Sequence, residues 1–263
     1  MKPVTINTLL KHKQNQEKFS VVAAYDASFA KAIEQAGVEA ILIGDSLGMV
    51  LQGHDSTIPV SIDDMAYHTA CVKRGTRRSL LIADMPFGTY TNSQQALDNA
   101  AYLMQSGAHM VKMEGGQWLL ESIEALTERS IPVCAHLGLT PQSVNVLGGY
   151  KVQGRDEQAA KQLLEDAKAV EAAGASLLVL ECIPSALAAS ISQSLAIPVI
   201  GIGAGPDTDA QVLVLHDLLG LGDKLPSFVH NFLADTNSIQ TALSAYNEAV
   251  KSGKFPTDKH CFD

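Results

Sequence analysis

No run of roughly 18 uncharged apolar residues occurs in the chain, so no membrane-spanning helix is expected. The opening MKPVTINTLLKHKQNQEKF lacks the continuous apolar segment of a secretory leader, and the cytoplasm is the expected location. Cysteine is scarce. The four present, Cys71, Cys134, Cys182 and Cys261, match no zinc or redox spacing. They read as reduced thiols, most of them in or beside apolar segments. Basic residues are outnumbered: the formal net charge of −9 argues against nucleic acid as a partner. Acidic ligands stay open, because a local site can be positive or loaded with metal. No G-x-G-x-x-G follows the first apolar run, so a dinucleotide-binding open sheet is disfavoured.

What is present is a rhythm. The chain has 263 residues, 46% of them hydrophobic, enough for one large domain over 1–263 without disulfides. Eight short apolar runs recur: FSVVAAYD (19–26), EAILIGD (39–45), SLLIADMP (79–86), HMVKMEGG (109–116), IPVCAHLG (131–138), SLLVLEC (176–182), IPVIGIGAG (197–205) and QVLVLHD (211–217). Several are nearly continuous, as parallel strands covered on both faces should be. Helical patterns lie between them, at 26–36, 61–73, 93–106, 116–129, 155–173 and 184–195. QAGVEAILI, QSGAHMVKM and AAGASLLVL each place a glycine where a helix should end in a left-handed turn, and RSIPVCAH shares the cadence.

Eight such units point to an α/β protein built as a (β/α)8 TIM barrel. An open doubly wound sheet is the rival. Segment 45–61 is long for a connecting loop and is expected to hold a small hairpin or a substrate-covering loop. Between 205 and 211 there is little room for a helix. Thr5–Lys13 is expected to cap the bottom of the barrel as an N-terminal helix, and 238–251 to form a last amphipathic one.

In a barrel, catalytic groups lie where strands end. Those positions hold Asp26, Asp45 with Ser46, Asp84, Lys112 with Glu114, His136, Glu181, GIGAG (201–205), and His216 with Asp217. Asp45, Asp84 and Glu114 are expected to end the second, third and fourth strands. Adjacent strands lie about 5 Å apart, so the three carboxylates can converge. Unneutralised, they raise one another's pKa. A divalent cation resolves the conflict, and oxygen-only ligands favour Mg2+ or Mn2+ over zinc. The bland alternative for each is a helix cap or a loop acid.

Lys112 is unusual in so apolar a strand and points the same way as Glu114. It can hold a substrate carboxylate or act as a Schiff-base nucleophile; a snorkelling lysine is the other reading. His136 can bind a ligand oxygen or be a satisfied core histidine. Glu181, set against apolar neighbours, suits a general base, with a cap for the next helix as its alternative. GIGAG lies where many barrels bind phosphate, although such glycines also serve close packing. Together these residues describe metal-assisted chemistry on a small oxyacid. A keto acid loses a proton to a base such as Glu181, and the resulting enolate makes a carbon–carbon bond.

The blocks GDSLGMVLQGHDSTIPV (44–60), DMAYHT (64–69), LIADMPFGTY (81–90), VKMEGG (111–116), AHLGLTPQSVNVLGGYKVQGR (135–155), LLVLEC (177–182) and GIGAG (201–205) carry a resemblance. They resemble the ketopantoate hydroxymethyltransferase (3-methyl-2-oxobutanoate hydroxymethyltransferase) family, over about Val4 to Pro256. The resemblance implies a barrel of the phosphoenolpyruvate mutase/isocitrate lyase kind. It implies hydroxymethyl transfer from 5,10-methylenetetrahydrofolate to 3-methyl-2-oxobutanoate, the first step of pantothenate biosynthesis. It also implies Mg2+, and a homo-oligomer, commonly a decamer of two pentameric rings.

Residue by residue, Asp45 and Asp84 match the family's metal-binding aspartates, and Glu114 an acid tied to the metal directly or through water. Asp45, Ser46, Asp84, Lys112 and His136 match the keto-acid site. Glu181 matches the proton acceptor. Lys112 then acts electrostatically rather than as a Schiff base. Ala210 departs from the family's usual glycine without removing a proposed catalytic group. A related lyase or mutase would carry a K-x-C-G-H loop, absent here. A non-catalytic metabolite-binding barrel would be expected to have lost Glu181 or a metal ligand. No motif for the folate is visible.

Overall fold

A computed structural model of the chain describes residues 2–222 and 224–263. Eight parallel strands close on themselves in chain order: β1 Phe19–Ala23, β2 Ala40–Ile43, β3 Leu80–Asp84, β4 Met110–Glu114, β5 Val133–Gly138, β6 Leu177–Glu181, β7 Val199–Ile202 and β8 Ala210–Val214. β8 pairs with β1 over five residues, Phe19 opposite Ala210 to Ala23 opposite Val214, which excludes the open sheet. The helices are α1 Ile6–Gln14, α2 Ala27–Gln35, α3 Leu47–Val50, α4 Ile62–Gly75, α5 Ser93–Ser106, α6 Leu120–Glu128, α7 Val144–Leu147, α8 Glu157–Ala172, α9 Ser185–Ser194, α10 Leu215–Leu218 and α11 Ile239–Lys251. Among the described residues, no helix is long and apolar enough to cross a membrane. All four cysteines are free.

Local chemistry sets the boundaries. Asp26, Ser61, Asn92, Asp156 and Ser238 each accept a backbone N–H at a helix start. Gly37, Gly107 and Gly174 follow helix ends at φ of +85°, +118° and +105°, where a Cβ is unwelcome. In RSIPVCAH the same task falls to Ser130, at φ +64°. A side chain there costs about 1–2 kcal/mol, so the cadence survives without its glycine.

The strands divide the interior into two regions. Their outward residues pack against the helices. Their inward residues, among them Phe19, Val21, Ile82, Met110, Leu177 and Val212, fill the tube. Val4 and the fully buried Leu9 of α1 join this inner cluster, so the N-terminal helix does close one end.

Three local expectations need correction. β2 ends at Ile43, so Asp45 lies two residues past the strand, in a turn. Segment 45–61 holds no hairpin. It winds into α3 and turns, because a closed barrel offers no free edge for extra strands. Gly48 packs against Val60, where a Cβ would lie 2.5 Å from Val60 Cγ2. The 116–129 helix opens with a separate tight turn, Gln117–Leu119, before α6.

One acid outside the strand ends fixes a junction. Glu34 on α2 accepts from the Thr76 hydroxyl and from the N–H groups of Arg77 (2.8 Å) and Ser79 (3.3 Å), binding the turn that leads into β3. Burial alone would raise its pKa. The Thr76 hydroxyl and these N–H groups outweigh it and hold the carboxyl below its ordinary 4.5. A folded-state pKa below the unfolded value contributes stability that is present above the unfolded value. That stability is lost as pH falls through the folded one. Urea midpoints between about pH 6 and pH 3 are therefore expected to fall less steeply in Glu34→Gln than in the wild type; identical acid slopes would refute this.

Candidate active site

Alternation along each strand builds the site. Leu80, Ile82 and Asp84 share one face of β3; Met110, Lys112 and Glu114 share one face of β4. Cys134 and His136 of β5, and Leu177, Val179 and Glu181 of β6, continue the pattern. In each strand the inward row begins apolar and ends polar, so the apolar tube acquires a charged upper rim. Register then sets neighbours: Asp84 lies opposite Lys112, and Glu114 opposite His136.

The rim is closely connected. Lys112 Nζ lies 3.4 Å from Asp84 Oδ1 and 3.4 Å from Glu114 Oε1. It donates to His136 Nδ1 at 3.0 Å. Glu114 Oε1 also lies 3.3 Å from Nδ1, but the ammonium is the nearer partner and carries its own protons, so Nδ1 accepts. The imidazole proton is then on Nε2, which faces Glu181 Oε2 at 3.4 Å. The Asp45 N–H donates to Asp84 Oδ2 at 3.0 Å. Ser46 Oγ and the Tyr25 hydroxyl share a 2.8 Å hydrogen bond. A Cβ on Gly44 would lie 2.8 Å from Ser46 Oγ, so the glycine gives Ser46 room to turn back onto the rim.

Gln142, in the turn after β5, was not foreseen. Its N–H donates to Glu114 Oε2 at 3.0 Å, and its Nε2 to Asp45 Oδ2 at 2.8 Å and Met85 O at 3.0 Å. Its Oε1 accepts from the Tyr90 hydroxyl. One neutral residue thus holds two of the three acids. Glu181 is fixed differently: its carbonyl accepts Leu139 N–H at 2.8 Å, and Cys182 N–H reaches Ile202 O at 2.9 Å. Cys182 itself sits at φ +46°, a left-handed bend that ends β6 abruptly behind Glu181.

Asp45, Asp84, Lys112, Glu114 and His136 are each no more than 4% exposed, whereas the Glu181 side chain keeps 15%. Charge is unbalanced in this dry place. Burial, then the charges of Asp84 and Glu114, pushes Asp45 well above the usual carboxylate range. Burial raises Asp84 as well, against the pull of Lys112. Burial would raise Glu114, but the Lys112 ammonium and the Gln142 N–H reverse it and hold it low. Burial would lower Lys112, and Asp84, Glu114 and Asp45 override it upward. Three acids therefore share one ammonium.

The residues fit a further cation. Asp84 Oδ1 is buried without a hydrogen-bond partner. Among the described residues, no group of three or more His, Cys, Asp or Glu side chains is arranged to hold a metal ion by itself. Two aspartates facing an open cavity suit an ion that keeps water and takes substrate oxygens, as Mg2+ does. Both Glu114 oxygens are already engaged, by the Lys112 ammonium on one side and by the Gln142 N–H on the other.

Asp45, Ser46, Asp84, Lys112, Glu114, His136 and Glu181 all line one cavity of about 610 Å³. Met49 of α3 and Thr57 join its wall, so segment 45–61 does border the site. Other strand-end residues are placed elsewhere. Asp26 caps α2, accepting from Ser28 and Phe29 N–H at 2.7 and 3.0 Å. The GIGAG glycines serve packing rather than a phosphate cradle. A Cβ on Gly201 would meet Thr208, one on Gly203 would meet Phe228 and Phe262, and one on Gly205 would meet Ser185. The role of Gln142 left no mark in the sequence beyond Pro141, which starts its turn.

A family model described as Ketopantoate hydroxymethyltransferase matches residues 3–258. The chain is 60% identical over its whole length, and that of the relative, to 3-methyl-2-oxobutanoate hydroxymethyltransferase of Shewanella loihica. To the protein of the same name from Colwellia psychrerythraea it is 62% identical, again over both full lengths. Among solved structures, the barrel resembles a phosphonopyruvate hydrolase (TM-score 0.64, 16% identity, 84% of each chain covered). It also resembles a 2,3-dimethylmalate lyase, a PEP mutase/isocitrate lyase superfamily member (TM-score 0.58, 18% identity, 97% of this chain and 89% of that one). These two likenesses concern the fold.

Proposed function

Because the chain belongs to the ketopantoate hydroxymethyltransferase family, and is thus a transferase, we propose the following reaction for it. 3-Methyl-2-oxobutanoate and 5,10-methylenetetrahydrofolate, with water, give 2-dehydropantoate and tetrahydrofolate, as the first step of pantothenate biosynthesis in the cytoplasm. The observation that carries the reading is the single buried rim on which Asp45, Asp84, Lys112, Glu114 and His136 meet, with Glu181 beside it.

Asp45 and Asp84 would hold Mg2+, with Glu114 acting through water because both its oxygens are engaged. When bound, Mg2+ supplies Lewis-acid stabilisation of negative charge on the keto acid's oxygens. Ser46 and Lys112 hold the keto acid, and His136 borders it. Glu181 accepts the proton from C3, leaving an enolate. Lys112 offsets the charge that develops. The nucleophilic carbon then attacks the one-carbon unit of the opened, iminium form of the folate, and water supplies the hydroxyl as the folate nitrogen departs. His136 Nε2 lies 3.4 Å from Glu181 Oε2, beside the carboxylate that takes the proton. A decamer of two pentameric rings is part of the same proposal, and exposed Tyr67, Phe87 and Trp118 are apolar surface that assembly would cover.

The reading is tested by following 2-dehydropantoate formation during exhaustive chelation and after adding back Mg2+. Loss of activity on chelation and its return with Mg2+ is expected. Turnover unchanged by chelation would remove the metal from the scheme.

A further inference from the structure

The 610 Å³ cavity is larger than a five-carbon keto acid fills, and its two sides differ chemically. Volumes of roughly 300–1,000 Å³ hold drug-sized ligands. The charged rim comes from β3, β4 and β5 and the turn after β2. Across the mouth lies β8, four strands from β4 in the closed order. That side is lined mainly by Val212, Val214, Leu225, Phe228 and Phe262, with Lys224 and Ser227 on the segment after α10. One acid interrupts it: Asp217, in α10 immediately after β8.

Asp217 differs from the rim acids. Among the described residues its carboxylate has no hydrogen bond and no ion pair. It is not the cap of α10, whose N-cap is Val214 and lacks a side-chain cap bond. Burial pushes its pKa up to about 6, so it is mostly ionised at neutral pH. A half-buried carboxylate in a largely apolar wall, with no hydrogen bond or ion pair among the described residues, is costly unless a ligand supplies a partner.

We infer that Asp217 anchors the pterin of the folate co-substrate, accepting the two adjacent N–H donors of its 2-amino-4-oxopyrimidine edge, while the apolar β8 side packs the ring. This rests on the reading of methylenetetrahydrofolate as donor. A carboxylate has two parallel acceptor oxygens, and a pyrimidinone edge has two parallel donors, the geometry of paired charge-assisted hydrogen bonds. The flat, apolar body of the ring matches the Val212, Val214 and Phe228 surface. Held by its pyrimidine edge at β8, the pterin points its one-carbon end back across the mouth, toward the keto acid on the rim. Asp217 is thus a binding residue for the second substrate.

Tetrahydrofolate and its 2-desamino analogue are titrated calorimetrically into the Mg2+-loaded wild type, Asp217→Asn and Asp217→Ala. C3 proton–deuterium exchange of 3-methyl-2-oxobutanoate, without folate, reports whether the keto-acid half is intact. Wild type is expected to prefer tetrahydrofolate over the analogue by about tenfold or more. Asp217→Ala should weaken tetrahydrofolate by about 10- to 100-fold and the analogue far less, with exchange retained. Equal affinity in wild type and variant, or equal losses for both ligands, would overturn the assignment. A wild type that exchanges the C3 proton but does not bind tetrahydrofolate would overturn the donor reading, and this proposal with it.

Discussion

Glu181→Gln is expected to lower kcat by about 10²- to 10⁴-fold, the usual contribution of a positioned base, with the KM for the keto acid little changed. The amide keeps the shape and its place beside His136 Nε2, which lies 3.4 Å from the wild-type carboxylate. It cannot take a proton from carbon. Deuterium exchange at C3 without folate isolates that step, and it should fall by the same factor as overall turnover. Glu181→Asp, which keeps the carboxylate but shortens its reach, should recover part of the exchange. Wild-type exchange in the glutamine variant would end the assignment of Glu181 as base.

Lys112→Met is expected to damage both stability and rate. Lys112 is 3% exposed and is the one ammonium among Asp84, Glu114 and Asp45. Removing one partner of a buried ion pair typically costs about 3–5 kcal/mol, which for a chain of this size is roughly a 10 °C fall in Tm. Part of that loss should be absent at acid pH, where the stranded carboxylates bind protons. Turnover should fall by about 10²- to 10³-fold, the scale for losing one preorganised charge at the reacting oxygens. Lys112→Arg keeps the charge but must fit a planar fork into a space shaped for a point charge, so it should rescue stability more than rate. A methionine variant with unchanged Tm and kcat would show that the lysine neither compensates these acids nor serves the reaction.

These two residues were legible in the sequence for a physical reason. Lysine in HMVKME and glutamate at the end of SLLVLE break apolar strands, and such a break in a barrel strand points to its mouth. Period-two alternation then fixed the side of the strand on which each would lie. Seven of the eight strands fell within the apolar runs, and β8 starts one residue before its run, at Ala210, because parallel strands buried on both faces have little freedom in composition. Asp45 was read as a strand end although it lies two residues past β2, since a turn that follows a strand looks the same in one dimension.

Gln142 was invisible. It reaches Asp45 across 97 positions of chain, and an uncharged glutamine in a loop carries no compositional signal. Asp217 stood among the strand-end residues but could not be told from a cap until its surroundings were known. The family resemblance supplied roles for the rim residues; it held no motif for the second substrate.

The apolar plug formed by α1 and the inner strand residues makes the barrel a blind-ended vessel. The large cavity therefore opens at the strand-end side, away from α1. In the proposed reaction, a proton taken by Glu181 would leave by the side from which the co-substrate enters, and a bound folate would act as a stopper. With the stopper in place, the abstracted proton would be shielded from bulk water, and C3 deuterium exchange should slow when folate is bound. On that scheme the closed floor would turn the order of substrate arrival into control over the fate of a single proton.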